Sequence, residues 1–146
     1  MSVWYRDGLR FRCTQCSHCC TGPQGYVWLS PEDQRRIASH LGLEVEAFLK
    51  RYVRLVGRLL CLVDKPSGDC VFLGEDKRCS IHAVKPRQCL TFPFWPRLTE
   101  TPAAWEEVRE TCPGVGNGPL HSAEEIGKAL DRDTPREELW ELLSKP

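Results

Sequence analysis

Cys13-Thr14-Gln15-Cys16-Ser17-His18-Cys19-Cys20 is the stretch around which the rest of this chain is read. Two residues between cysteines let both sulfurs turn toward one centre while nearby backbone N–H groups point at them. That spacing serves zinc knuckles and iron–sulfur sites alike. The adjacent pair Cys19-Cys20 is less usual. Neighbouring side chains diverge, so both reach one compact centre only if the backbone folds sharply. They more naturally serve two metals, or different irons of one cluster, which favours a polynuclear site over a lone tetrahedral zinc.

Further along the chain, Cys70, Cys79, Cys89 and Cys112 follow at gaps of eight, nine and twenty-two residues, none of them a diagnostic ligand spacing. Their weight comes from number, because four early and four later thiols make eight that can converge. The candidate metal ligands are therefore Cys13, Cys16, Cys19, Cys20, Cys70, Cys79, Cys89 and Cys112. Cys61 is excluded: it sits inside Leu59-Leu60-Cys61-Leu62-Val63, where a small core hydrophobe is expected. Basic residues precede the thiols, Arg10 and Arg12 before Cys13, Lys77 and Arg78 before Cys79, Lys85 and Arg87 before Cys89. Positive charge there stabilises thiolates, although each such residue also reads as solvated surface. Of the four histidines, His82 and His18 are possible further ligands, while His40 and His121 read as capping or surface groups.

Composition fits this reading. The nine cysteines are an odd number, against a closed disulfide framework, and the N-terminal MSVWYRDGLRFRC lacks the apolar region of a signal peptide. A cytoplasmic chain is expected, where reducing thiol pools make metal binding the better use of cysteine. Twenty basic residues balance twenty acidic ones, so global charge makes no case for nucleic acid or an anionic membrane. The longest apolar stretch falls far below the ~18 residues of a membrane span. At 146 residues one domain is expected over 1–146, with a cysteine-cluster metal-binding region over 13–118 and a C-terminal helical extension over 119–146.

Local signals predict an α+β fold, with short irregular strands and loops around a cysteine-bound metal centre and helices packed outside. Leu9–Arg12 and Tyr26–Leu29 are strand-like. Ser30-Pro31-Glu32-Asp33 starts a helix with a capping hydroxyl, proline at the first position and acids in the first turn, ending near Gly42. A second helix is predicted from Glu44 to about Arg54, with Val45, Phe48, Leu49, Tyr52 and Val53 on one face. Leu59–Val63 reads as a buried strand, Pro66-Ser67-Gly68 as a turn and Cys70–Leu73 as a second short strand. Thr101-Pro102 opens a helix that stops before Cys112, and the glycine-rich Gly114–Gly118 closes the cysteine-bearing part. Ser122–Glu125 and Thr134–Glu137 read as capping boxes of two last helices.

With these residues in view, the chain resembles the YkgJ-type CxxCxxCC cysteine-cluster family of zinc- or iron-chelating domains. The resemblance is carried by Cys13–Cys20, Cys70-Val71-Phe72-Leu73, Cys79-Ser80-Ile81-His82, Lys85-Pro86-Arg87-Gln88-Cys89, Phe92-Pro93 and Cys112-Pro113-Gly114-Val115-Gly116, in that order. It implies metal binding and leaves the metal open. Ser17 stands where the family usually has glycine, and His82 where a tyrosine is common. Lys85-Pro86 and Cys89-Leu90 replace Arg-Pro and Cys-Arg. A related cysteine motif occurs in the larger flagellin lysine methylases, which implies an iron–sulfur centre.

Three functions follow as expectations. One is a metal-binding protein with an iron or iron–sulfur centre, used in electron transfer, metal handling or redox sensing. A second is a structural zinc module whose surface binds a protein partner. A third is a metal-dependent enzyme related to those methylases. Against an enzyme, Gly114-Val115-Gly116-Asn117-Gly118 lacks the preceding strand of a nucleotide or methyl-donor loop, and no Ser–His–Asp or Glu–His array can be read. Hydrolytic metal catalysis needs an open coordination position, whereas eight thiols suggest saturated, electron-rich coordination. Phe92-Pro93-Phe94-Trp95 reads as core packing, with cluster shielding or partner docking as the other use.

Overall fold

The computed structural model describes residues 3–14, 27–76 and 78–143. In chain order its elements are β1 (Leu9–Phe11), α1 (Pro31–Leu41), α2 (Val45–Tyr52), β2 (Val53–Val56), β3 (Leu59–Leu62), a 3-10 turn at His82–Val84, and α3 (Arg87–Thr91). They continue with α4 (Pro96–Thr99), α5 (Pro102–Thr111), β4 (Val115–His121), α6 (Ala123–Leu130) and α7 (Arg136–Leu143). Short helices with two antiparallel strand pairs make this an α+β protein, as the sequence predicts. Among the described residues no helix is long and apolar enough to cross a membrane. The chain divides into two compact units, Ser17–Cys89 and Met1–Cys16 with Leu90–Pro146.

In the unit Ser17–Cys89, α1 begins as predicted. The Ser30 hydroxyl accepts from the Asp33 N–H, and the Ser30 N–H donates back to the Asp33 carboxylate, each at 3.1 Å. The helix stops at Gly42, whose φ of 71° is the left-handed cap that glycine takes without a Cβ clash. Ile37, Ala38 and Phe48 of α1 and α2 enter a core with Leu29, Leu62, Cys70, Phe72, Leu73 and Ile81. The second helix is shorter than expected. It ends at Tyr52, and Val53, predicted to continue its apolar face, opens β2 instead. The physical reason is non-local: Val53–Val56 pairs with Leu59–Leu62 in the register Val53↔Leu62 to Val56↔Leu59. This closes a two-residue turn at Gly57-Arg58, where Gly57 has φ 62°. β3 is the strand expected, but burial covers only its second half. Cys61 and Leu62 are buried, while Leu59 near the turn is 57 % exposed.

Val27–Leu29 lies along the outer edge of β3, with the Leu29 N–H donating to Leu60 O and the Leu62 N–H to Val27 O. The predicted strand at Cys70–Leu73 does not form. Cys70 bridges Asp64 and Leu73 bridges Cys79 in the opposite direction, while the Leu73 N–H folds back onto Cys70 O at 3.0 Å. Four residues cannot extend while their ends bond to different segments and to each other. The Lys65 ammonium closes the loop by donating to Leu73 O.

In the unit Met1–Cys16 with Leu90–Pro146, β1 pairs antiparallel with β4 through Leu9↔His121, Arg10↔Leu120 and Phe11↔Val115, with a bulge between Arg10 and Phe11. The glycine-rich Gly114–Gly118 thus runs mostly within β4. Thr101 caps α5 by accepting from the Ala104 N–H at 3.1 Å. Phe94 stacks on Trp105 at 5.7 Å and 5°, with Phe11 edge-on at 6.0 Å. Ile126, Leu139 and Leu143, from the predicted C-terminal helices, complete this core. Ser122 caps α6 through the Glu125 N–H at 3.1 Å. The Glu125 carboxylate faces Nδ1 of His121 at 3.2 Å. His121, expected at the surface or as a cap, is in fact 2 % exposed. Its Nε2 donates to the Phe11 carbonyl at 3.1 Å, satisfying an acceptor that the bulge leaves outside the ladder.

Candidate metal centre

Five of the eight candidate cysteines fall in the described residues. Cys13 is exposed, two residues past β1. Cys112 is buried at the end of α5, its N–H donating to Val108 O at 2.8 Å. These two cysteines, ninety-nine positions apart, sit on chain segments that the unit joins: the Arg12 N–H donates to Gly114 O at 3.2 Å. The join is close because Gly114 has no side chain. A Cβ there would overlap the Arg12 carbonyl oxygen, and one at Gly118, φ 83°, would meet Arg12 Cβ at 2.5 Å. The glycine run therefore admits the strand leading to Cys13.

Cys70 and Cys79 belong to the loop of two opposed bridges, Cys70 buried and Cys79 half-buried against the core. The Ser80 N–H and hydroxyl both donate to Phe72 O, at 2.8 and 2.9 Å, and the His82 N–H donates to Cys79 O at 3.2 Å. Cys89, half-buried, lies in α3. Cys16, Cys19 and Cys20, with His18 and Lys77, lie outside the described residues. Cys61 is fully buried in β3, the small-hydrophobe position predicted for it.

His82 follows Cys79 into the 3-10 turn. Burial, and secondarily the Lys85 ammonium, hold its imidazole below the ordinary value. This favours the neutral ring that metals require. Lys85 Nζ lies 3.4 Å from Nε2 of His82. His40 is exposed at the end of α1, as expected.

Among the described residues no three His, Cys, Asp or Glu side chains gather to hold a metal ion. Nor are any two of the described cysteines joined by a disulfide. No buried side-chain nitrogen or oxygen among the described residues lacks a hydrogen-bond partner. The candidate donors named from the sequence are cysteine thiols, a chemistry that suits zinc, iron and iron–sulfur clusters. The Phe92–Trp95 run packs as aromatic core: Phe94 is buried, Phe92 meets Trp95 edge-on at 5.1 Å, and Trp95 Nε1 donates to Thr91 Oγ1 at 3.2 Å.

Two side chains that sequence reasoning missed hold the start of α3. Asp33 Oδ1 accepts from the Arg87 N–H at 3.1 Å, and Gln88 Oε1 accepts from the Trp28 N–H at 2.9 Å. The capping signal identified Asp33 for α1 alone, since nothing local foretells a partner fifty-four positions away.

The chain matches, over residues 12–113, a family described as "CxxCxxCC: Putative zinc- or iron-chelating domain". It is also 31 % identical over 91 residues to the uncharacterized protein MJ0661 of Methanocaldococcus jannaschii, an alignment covering 62 % of this chain and 48 % of that relative. This chain thus spans about half the length of that relative. No solved structure matches it. With the match spanning all eight candidate cysteines and most of the chain, this protein belongs to the CxxCxxCC family of zinc- or iron-chelating domains.

Proposed function

We propose that the chain holds an iron or iron–sulfur centre through Cys13, Cys16, Cys19, Cys20, Cys70, Cys79, Cys89 and Cys112. The centre serves electron transfer, metal handling or redox sensing in the cytoplasm. The observation that carries this reading is the vicinal Cys19-Cys20 pair within a matched chelating family. Two adjacent thiolates diverge and suit different irons of one cluster better than one closed tetrahedral zinc. A thiolate-bound iron centre supplies one-electron chemistry, at a potential tuned by hydrogen bonds and exposure around its sulfurs.

A structural zinc role is the second reading, favoured by one feature: the loop from Asp64 to Ser80 carries Cys70 and Cys79 on isolated bridges and turns. A metal cross-link would stabilise such a loop directly. The enzyme reading gains nothing from Gly114–Gly118, which runs into an antiparallel ladder instead of opening a helix as a phosphate-binding loop does.

The deciding experiment is metal analysis with a visible spectrum on protein purified without oxygen. Iron with charge-transfer absorption is expected. Stoichiometric zinc in a colourless protein refutes the iron reading and establishes the structural one. Chromatographic and cell-fractionation controls place the metal with the soluble protein.

A further inference from the structure

We propose that Gln88 and Asp33 are positioning residues for the ligand Cys89, coupling it to the segment that leaves the CxxCxxCC motif. The inference rests on the metal-binding reading above and concerns how the ligand is held. Cys89 is carried by α3, five residues long. So short a helix has little stability of its own, since isolated helices below about 12–15 residues are marginal in water. The pose of Cys89 must therefore come from whatever grips α3 from outside.

Two grips on α3 come from residues 28–33. The first is the Asp33 carboxylate. It is 3 % exposed and takes three bonds: the Ser30 N–H on Oδ2 at 3.1 Å, the Arg87 N–H on Oδ1 at 3.1 Å, and an Arg36 guanidinium N–H on Oδ1 at 3.3 Å. It thereby caps its own helix α1 and satisfies a first-turn donor of α3, which has no intrahelical acceptor. The second is Gln88, the residue before Cys89, whose amide oxygen accepts from the Trp28 N–H at 2.9 Å. Trp28 bridges Cys61, and the ladder bonds there are made by the N–H groups of Leu29 and Leu62. The Trp28 N–H consequently points away from β3, and Gln88 reaches it at the open edge. Trp28 lies eight positions after Cys20. The two bonds thus tie Cys89 to the chain just downstream of the vicinal pair, across sequence separations of 60 and 54.

Metal ligands function only when held to within about 0.5 Å of the productive geometry, and outer hydrogen bonds of this kind supply that constraint. Losing one commonly weakens metal binding by about 10–100-fold. The chemistry predicts an asymmetry between variants. Gln88→Glu keeps an acceptor for the Trp28 N–H, whereas Gln88→Leu keeps the bulk and loses the acceptor. Asp33→Asn keeps one acceptor oxygen where two are used.

The test is the rate at which metal-loaded protein surrenders its metal to excess chelator, read from its visible spectrum or from a colorimetric chelator. Metal stoichiometry and melting temperature are measured alongside. Ile126→Val, in the other unit, is the control for a small loss of stability. The expected result is unchanged stoichiometry, release about tenfold faster in Gln88→Leu and in Asp33→Asn, and near wild-type release in Gln88→Glu and Ile126→Val. Wild-type release from Gln88→Leu overturns the proposal. So does equal acceleration in Gln88→Leu, Gln88→Glu and Ile126→Val, which would mark a stability effect. A wild-type protein that holds no metal overturns the metal reading itself, and this proposal with it.

Discussion

Replacing Gly114 by alanine tests whether the approach of β1's tail to the Cys112 turn is as tight as the backbone indicates. No left-handed torsion is involved at this residue, so the effect is purely steric. The added Cβ overlaps the Arg12 carbonyl oxygen, with the carbonyl carbon at 3.0 Å and Phe11 Cε1 at 3.3 Å. The obstacle is backbone, which cannot rotate aside as a side-chain end would. Ordinary van der Waals contact requires the strands to part by more than about 1 Å. Overpacking of this sort costs about 1–3 kcal/mol, and loss of the bond from the Arg12 N–H to Gly114 O adds about 1 kcal/mol. The sum, about 2–4 kcal/mol, corresponds to a fall in melting temperature of about 5–15 °C for a chain of this size. Thermal unfolding followed by circular dichroism measures it. Gly127→Ala is the matching control: it lies inside α6 with nothing within 4 Å of the new Cβ, so it should gain about 0.5–1 kcal/mol. A Gly114→Ala protein melting within about 2 °C of wild type would refute the close-approach argument. Since Arg12 and Gly114 flank Cys13 and Cys112, metal content should fall in the same variant.

The remaining predictions concern single groups. Cys61→Ala should leave metal stoichiometry intact, because the thiol is fully buried in β3, whereas Cys16→Ala should lower it; elemental analysis showing the reverse would overturn the ligand assignment. His121→Leu strips the Phe11 carbonyl of its partner inside the core and should cost about 1–3 kcal/mol, read as a lower urea midpoint with unchanged slope. Replacing Glu125 by glutamine, which can still face Nδ1, should cost less than His121→Leu; equal losses would show that the pair acts through charge. Chelation under reducing conditions should lower the melting temperature and alter the far-ultraviolet spectrum; an unchanged protein would show that the metal has no structural part.

What the sequence determines by itself is whatever short-range chemistry specifies. Ser30, Pro31 and Asp33 announce α1, and Gly42 ends it, because capping and left-handed termination are decided within a few residues. Thr101-Pro102 and Ser122 mark α5 and α6 for the same reason. The cysteine spacing points to metal binding, and the apolar neighbours of Cys61 mark it as a core position, where it is fully buried. Tertiary structure decides what depends on a distant partner. Val53 is predicted on the helical face, yet pairing with Leu62 makes it the first residue of β2. Cys70–Leu73 has strand-forming residues, yet bonds to Asp64 and Cys79 turn it into a loop. The glycines at 114 and 118 read only as the close of the cysteine-bearing part until Arg12 is laid against them. His121 looks like a surface residue until the bulge at Phe11 presents a buried carbonyl to it. Asp33 meets the Arg87 N–H, and Gln88 the Trp28 N–H, only when residues 54 and 60 positions apart come together. A capping motif is a local free-energy minimum, visible in a window of four residues. A buried acceptor or a forbidden Cβ belongs to a pair of segments, and it exists only once the chain has folded.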